Sequence, residues 1–203
     1  MYTPKLNRNE NREELLEFIR KNGFAILIST VEGKPWATHI PLMLSADGKK
    51  LSGHVARGNK QWKEWTTETE ILAIFNGSHT YISSSWYDHE NVPTWNYIAV
   101  HVYGKLKILS AEELLQSLKE LTDKYEKQSA QPISVEKMNP DFLKKEMLGI
   151  VGFEIEITKI EATYKLSQNR DAKNHEAIIT ELEKRNDPAS TAIADEMKKA
   201  GHA

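Results

Sequence analysis

Two turn pairs constrain this chain more than any other feature. Glu32-Gly33 and Asp47-Gly48 interrupt a long apolar and β-branched stretch, dividing it into Phe24 to Val31, Lys34 to Leu44 and Lys49 to Val55. A residue followed by glycine between such runs favours a tight hairpin, because glycine reaches the left-handed backbone region that the turn requires. Three consecutive antiparallel strands follow. Asn11 with Glu14 offers a capping box for a preceding helix carrying Leu15, Leu16, Phe18 and Ile19, and Gly23 is placed to end it.

Beyond the third strand, Arg57 to Glu64 reads as a short helix with Asn59 as its cap. Glu70 to Phe75 and Thr80 to Ile82 read as strands, and Tyr97 to Leu109 is the longest strand of all. Ser110 with Glu113 predicts a helix running to about Lys127, and Asn139-Pro140 predicts a shorter one through Leu148. Ile150 to Lys159 is extended again. Two helices close the chain, Asp171 to Arg185 and Pro188 to Lys199, the second capped by Asp187. Six or seven strands with helices at the ends and crossovers give an α+β class, mainly β, built on an antiparallel sheet that closes as a barrel. With 203 residues, one principal domain over 1–187 with a helical tail over 188–203 is expected.

Splitting each strand by parity separates two faces. One is apolar: Ile40, Leu42 and Leu44 (with Trp36 and Thr38), then Leu51 and Val55, then Ile98, Val100, Val102 and Leu106, then Val151, Phe153, Ile155 and Ile157. The other carries His39, His54, Tyr97, His101 and Tyr103 rather than the charges of a solvated face, so a ligand or a second subunit is expected to cover it.

Composition removes several function classes. The chain has no cysteine, which excludes disulfides, thiolate metal sites and cysteine nucleophiles. The net charge is −2, too small for a global field that draws the chain onto DNA or an anionic membrane. The mixed charges of the first twenty residues are not a secretory signal, and the longest apolar run, Phe24 to Ile28, is far short of a membrane span. A cytoplasmic protein is expected. Seven histidines form no His-Glu-x-x-His motif, and Ser83-Ser84-Ser85 lacks the flanking glycines of a nucleophile elbow. No metal site and no catalytic residue is assigned.

The segment Gly53 to Trp62 is more informative, because Arg57 and Lys60 stand where a strand ends and a helix begins. Free backbone N–H groups and two cations there suit an anion, phosphate being the natural one. Four of the five tryptophans fall between residues 62 and 95, beside Tyr81, Tyr87 and Tyr97. Core packing explains most such clusters; a flat heteroaromatic ligand walled by indoles is the functional alternative.

Ala37-Thr38-His39-Ile40-Pro41-Leu42, Gly53-His54-Val55-Ala56-Arg57-Gly58-Asn59, Tyr81 to Tyr87, Val92 to Tyr97, Gly149 to Ile155 and Lys165-Leu166-Ser167-Gln168-Asn169-Arg170 together resemble the PaiB family of FMN-binding negative transcriptional regulators. The resemblance runs to about residue 185. It implies a split β-barrel like that of pyridoxamine phosphate oxidases, a homodimer with FMN at the subunit interface, and repression of extracellular protease synthesis and sporulation genes. It implies Arg57 and Lys60 at the phosphate, Thr38 and His39 near the ring or ribityl chain, and His54 and Asn59 among the cofactor-binding residues. Trp86, Thr94 and Trp95 are further cofactor-binding candidates, reaching across the dimer. No helix-turn-helix supports direct DNA binding, since Glu176, Glu181, Glu183, Asp195 and Glu196 accompany the lysines of the last two helices. An FMN-dependent oxidoreductase and a flavin or haem carrier without turnover are the other readings.

Overall fold

The computed structural model describes residues 1–201; His202 and Ala203, the end of the expected tail, lie outside the described residues. The strands are β1 (Phe24–Val31), β2 (Lys34–Pro41), β3 (Met43–Leu44), β4 (Lys50–Ala56), β5 (Glu70–Ile82), β6 (Thr94–Ile108) and β7 (Ile150–Lys165). They form one seven-stranded sheet in the order β2-β1-β5-β6-β7-β4-β3. The β1–β2, β1–β5, β3–β4 and β4–β7 pairs are antiparallel, from Phe24 opposite Pro41 in the first hairpin to Gly53 opposite Phe153 between β4 and β7. The helices are α1 (Arg12–Lys21), α2 (Ala111–Glu126), α3 (Pro140–Leu148), α4 (Ala172–Arg185) and α5 (Pro188–Ala200). None among the described residues is long and apolar enough to cross a membrane. The α+β class is as expected.

Local chemistry explains most boundaries. Glu32 and Gly33 both take positive φ, 51° and 73°, the pair of left-handed residues that a two-residue hairpin turn demands. The Ser110–Glu113 capping box is complete, with the Ser110 hydroxyl accepting from the Glu113 N–H and the Glu113 carboxylate accepting from the Ser110 N–H. Asn139 caps α3 with Pro140 at its first position, and Asp187 caps α5 by accepting from the Ser190 N–H.

Four elements differ from the sequence reading. The run Lys34 to Leu44 is two strands, because it changes partner: Lys34 to Pro41 pairs with β1, whereas Met43 and Leu44 pair with β4. Gly23 does not use its left-handed freedom; a Cβ there would stand 2.9 Å from the Tyr125 hydroxyl and 3.2 Å from the Leu42 carbonyl oxygen. Glu70 to Ile82 is continuous through Asn76-Gly77-Ser78, residues of low strand propensity that the surrounding sheet overrides. β6 begins three residues earlier than expected and β7 extends to Lys165.

The chain divides into two compact units. The sheet unit, Leu16–Phe75 with Val102–Ile160, buries Leu27, Leu42, Leu51, Ile71, Phe75, Leu106, Phe153 and Ile155 completely or nearly so. The Trp65 ring meets Phe153 edge-on at 5.0 Å. Leu114 of α2 lies so close to Gly152 that a Cβ there would sit 2.7 Å from its Cδ1. The terminal unit comprises Met1–Leu15, Asn76–His101 and the chain from Glu161 onward. Its core is Ile82, Ile98, Val100 and Leu166 together with the facing apolar stripes of α4 (Ile178, Leu182) and α5 (Ile193, Ala194, Met197). The apolar parity set is therefore interior, apart from half-buried Ile157 and from Trp36, which is exposed on the edge strand β2.

The closest approach between strands gives a stability test. A Cβ on Gly104 of β6 would lie 2.3 Å from the Glu156 carbonyl oxygen and 2.5 Å from an Ile155 methyl of β7. Gly104→Ala is expected to cost about 1–3 kcal/mol by forcing these strands apart, read as a lower urea midpoint. An unchanged midpoint would contradict that packing.

Candidate functional site

The segment after β4 is built from the inside outward. Gln61 is fully buried, so both ends of its carboxamide need partners. Its Oε1 accepts from the Thr38 hydroxyl of β2 at 2.7 Å. Its Nε2 donates to the Ser29 hydroxyl of β1 at 2.9 Å and, at 3.4 Å, to the Leu27 carbonyl. Thr38 in turn accepts from Asn59 Nδ2 at 2.9 Å, and Asn59 Oδ1 accepts from the Gln61 N–H at 3.0 Å. The expected helix over 57–64 is a 3₁₀ turn, Lys60–Glu64, with Asn59 as its cap.

Arg57 is stapled beside this turn. Its Nε donates to the Leu148 carbonyl at 2.6 Å and its Nη2 to the Ile150 carbonyl at 2.9 Å, binding the turn to the end of α3 and the start of β7. The guanidinium lies 5.7 Å from the Trp62 ring centroid, and Trp62 Nε1 donates back to the Arg57 carbonyl at 2.9 Å. Arg57 and Lys60 are both exposed, and neither forms an ion pair with a carboxylate among the described residues. Arg57 and Trp62 also border a cleft of about 580 Å³ whose other walls include Ile108, Leu115, Met147 and Leu148. That volume falls within the range of small-molecule sites.

The remaining candidates of the sheet unit are less engaged. His39 is exposed and stacks on Phe24 at 6.4 Å. His54 is half-buried, and burial holds its pKa below the ordinary 6.5, so the ring is neutral at physiological pH. Among the described residues no group of three or more His, Asp or Glu could hold a metal ion.

Trp86, Thr94 and Trp95 belong to the terminal unit and form a separate group. Trp86 sits in a 3₁₀ turn capped by Ser83, and the Arg185 guanidinium covers its ring at 4.5 Å. Arg185 is held there by bonds to the Thr80 hydroxyl and the Tyr81 carbonyl. Trp95 is 52% exposed and meets His79 and Tyr81, each at 6.0 Å between ring centroids. Thr94 accepts from the Lys165 ammonium.

The structure thus joins Thr38 directly to Asn59 and sets Arg57 and Lys60 in the sequence positions flanking that cap. It gives His39 and His54 no hydrogen bond to that group. The sequence reading missed Gln61, on which the turn is built, and Arg185 over Trp86. For Gln61 the available signal was its place two residues after an Asn cap and one before a tryptophan; for Arg185 there was none.

Two changes test this geometry. Thr38→Val would leave Gln61 Oε1 buried without a donor and is expected to cost about 1–3 kcal/mol in denaturant unfolding, where Thr38→Ser costs less. The pH dependence has a definite sign. His54 is lowered by burial, and His101 is lowered by burial and the N-terminal ammonium against an opposing pull from Glu161. An unfolded chain takes up those protons near pH 6.5 and the folded one only below it. Stability is therefore full above about pH 6.5 and declines as pH falls below it, and His54→Gln should flatten that fall in thermal midpoint. A midpoint equally steep in the variant would contradict the burial of a neutral His54.

Comparison with known proteins adds to this geometry. A family model described as "Putative FMN-binding domain" matches residues 1–159. The chain is 42% identical over 200 residues to the Protease synthase and sporulation protein PAI 2 of Bacillus subtilis, covering 98% of this chain and 97% of that protein. It is 25% identical over 245 residues to an uncharacterized protein of Emericella nidulans, with 99% and 98% covered. Among solved structures, the FAD and heme binding protein from Mycobacterium smegmatis superposes with a TM-score of 0.61 at 14% identity, over 84% of this chain and 79% of that one. The flavocytochrome Anf3 from Azotobacter vinelandii gives 0.57 at 15% identity, over 81% and 72%. At such identities the structural likeness speaks for the fold alone, and it agrees with the antiparallel split-barrel class.

Proposed function

We propose, from the premise that this chain belongs to the FMN-binding family whose model it matches and of which the Bacillus protein PAI 2 is a relative, that it is a cytoplasmic homodimer that holds FMN. Its role is negative regulation of extracellular protease synthesis and sporulation. The cofactor is FMN, as the family match carries. The regulatory role rests on the name and near-complete coverage of that relative.

The observation that best supports the flavin reading is the turn after β4. It presents Arg57 and Lys60 with no carboxylate partner among the described residues, on a cap that Thr38 and Gln61 hold rigid. That donor set fits the dianionic phosphate of FMN, for which a guanidinium and an ammonium supply charge-assisted hydrogen bonds. When bound, FMN supplies the redox chemistry, and this chain's residues bind and orient it. Arg57 and Lys60 hold the phosphate with Asn59 beside it. Thr38, His39 and His54 stand nearer the ribityl chain and ring, with neutral His54 able to act as either donor or acceptor. Trp86, Thr94 and Trp95 meet the flavin from the partner subunit.

Regulation is indirect in this reading. The lysines of α4 and α5 are paired with acids, Lys184 with Glu181, Lys198 with Glu183 and Lys199 with Glu196. Such pairs leave little bare positive charge to neutralise DNA phosphates.

Lys60→Ala tests the phosphate assignment without disturbing the Arg57 staple. FMN affinity is expected to fall about tenfold while riboflavin affinity is unchanged, as one charge-assisted contact to the phosphate is lost. Equal changes for both ligands, or none for FMN, would refute it.

A further inference from the structure

The terminal unit holds a second set of cations that no carboxylate neutralises among the described residues. Lys165, the last residue of β7, donates to the Thr94 hydroxyl at the first residue of β6. Arg170 follows a turn closed by its own N–H to the Ser167 carbonyl at 3.1 Å, and its guanidinium covers the Tyr87 ring at 4.9 Å. Burial and the like charge of Arg170 together push the Lys165 ammonium down. Lys165 and Arg170 stand at either end of the short segment that turns at Ser167. Neither forms an ion pair with a carboxylate among the described residues.

Two polar atoms of this group are buried with no hydrogen-bond partner, the Tyr87 hydroxyl and Arg170 Nε. Tyr87 is only 9% exposed. A buried donor left unpaired is costly, and two such donors on stacked side chains need an acceptor from outside the chain. The neighbouring acids do not provide one. Asp88 is taken up by Lys173 at 2.7 Å, by Asn174 at 3.0 Å and by His89 at 2.9 Å, while Asp171 caps α4 through Asn174.

We propose that Lys165, Arg170 and Tyr87 form a binding site for a small oxyanion of the phosphate-monoester class. The planar Arg170 fork suits two oxygens of one phosphate, and the ammonium and the phenol suit the third. Two uncompensated positive charges match a dianion better than a single carboxylate. No residue of the β4 turn takes part, so the inference does not rest on the flavin reading.

Calorimetric titration of inorganic phosphate into the full chain tests this. It is performed in the wild type and on a Lys60→Ala background, where uptake at the β4 turn is weakened about tenfold. Saturable uptake is expected in both. Adding Arg170→Gln should weaken it about tenfold or more, and adding Tyr87→Phe, which keeps the ring under Arg170, several-fold. If Arg170→Gln lowers the folded fraction, Tyr87→Phe decides. Absence of saturable uptake on the Lys60→Ala background, or uptake unchanged by the deciding variant, would overturn the proposal.

Discussion

A carboxamide sealed in the sheet unit sets the terms for everything around it. Gln61 has no access to water, so its oxygen and nitrogen must be satisfied by protein. The partners it finds lie on two strands, Ser29 and Leu27 on β1 and Thr38 on β2, while its own N–H is held by Asn59. One side chain therefore fixes the turn after β4 against the first hairpin. Losing any one bond strands the others in a low-dielectric interior, which is why such a network specifies a single geometry. Arg57 repeats the device on the other side, spending two donors on the carbonyls of Leu148 and Ile150. The turn is thereby tied to elements roughly ninety residues away in sequence.

The functional consequence is a rigid cationic corner on a chain with almost no net charge. A flexible lysine on a mobile loop would gain little from a phosphate, because ordering it would offset the attraction. Here the backbone is already ordered, and among the described residues neither cation pairs with an acid. The terminal unit carries a second group of the same character at Lys165 and Arg170, with two unpaired buried donors. The lysines of α4 and α5, by contrast, are matched with acids.

Much of the fold was legible because its signals are local. The Glu32-Gly33 turn, the Ser110–Glu113 box and the Asn139-Pro140 start each depend on residues within one turn of one another. The failures are tertiary. The run Lys34 to Leu44 reads as one strand by pattern but changes partner near Leu42, from β1 to β4, an exchange set only by the folded sheet. Asn76-Gly77-Ser78 has poor strand propensity, yet β5 runs through it. Of the candidate site, Asn59 was readable as a cap, and the cations beside it as an anion corner. Gln61 was not read, because its one signal, a place between an Asn cap and a tryptophan, is weak for a glutamine in a polar stretch. The separation of Trp86, Thr94 and Trp95 into another compact unit was equally invisible, since sequence proximity to Trp62 suggested one cluster.

A crystal structure of the chain grown with FMN addresses the central claim most directly. The account predicts phosphate oxygens within hydrogen-bond distance of Lys60 Nζ and of the Arg57 guanidinium, with the Asn59–Thr38–Gln61 chain of hydrogen bonds intact. An FMN phosphate seated at Lys165 and Arg170 instead, with Lys60 left in solvent, would contradict it.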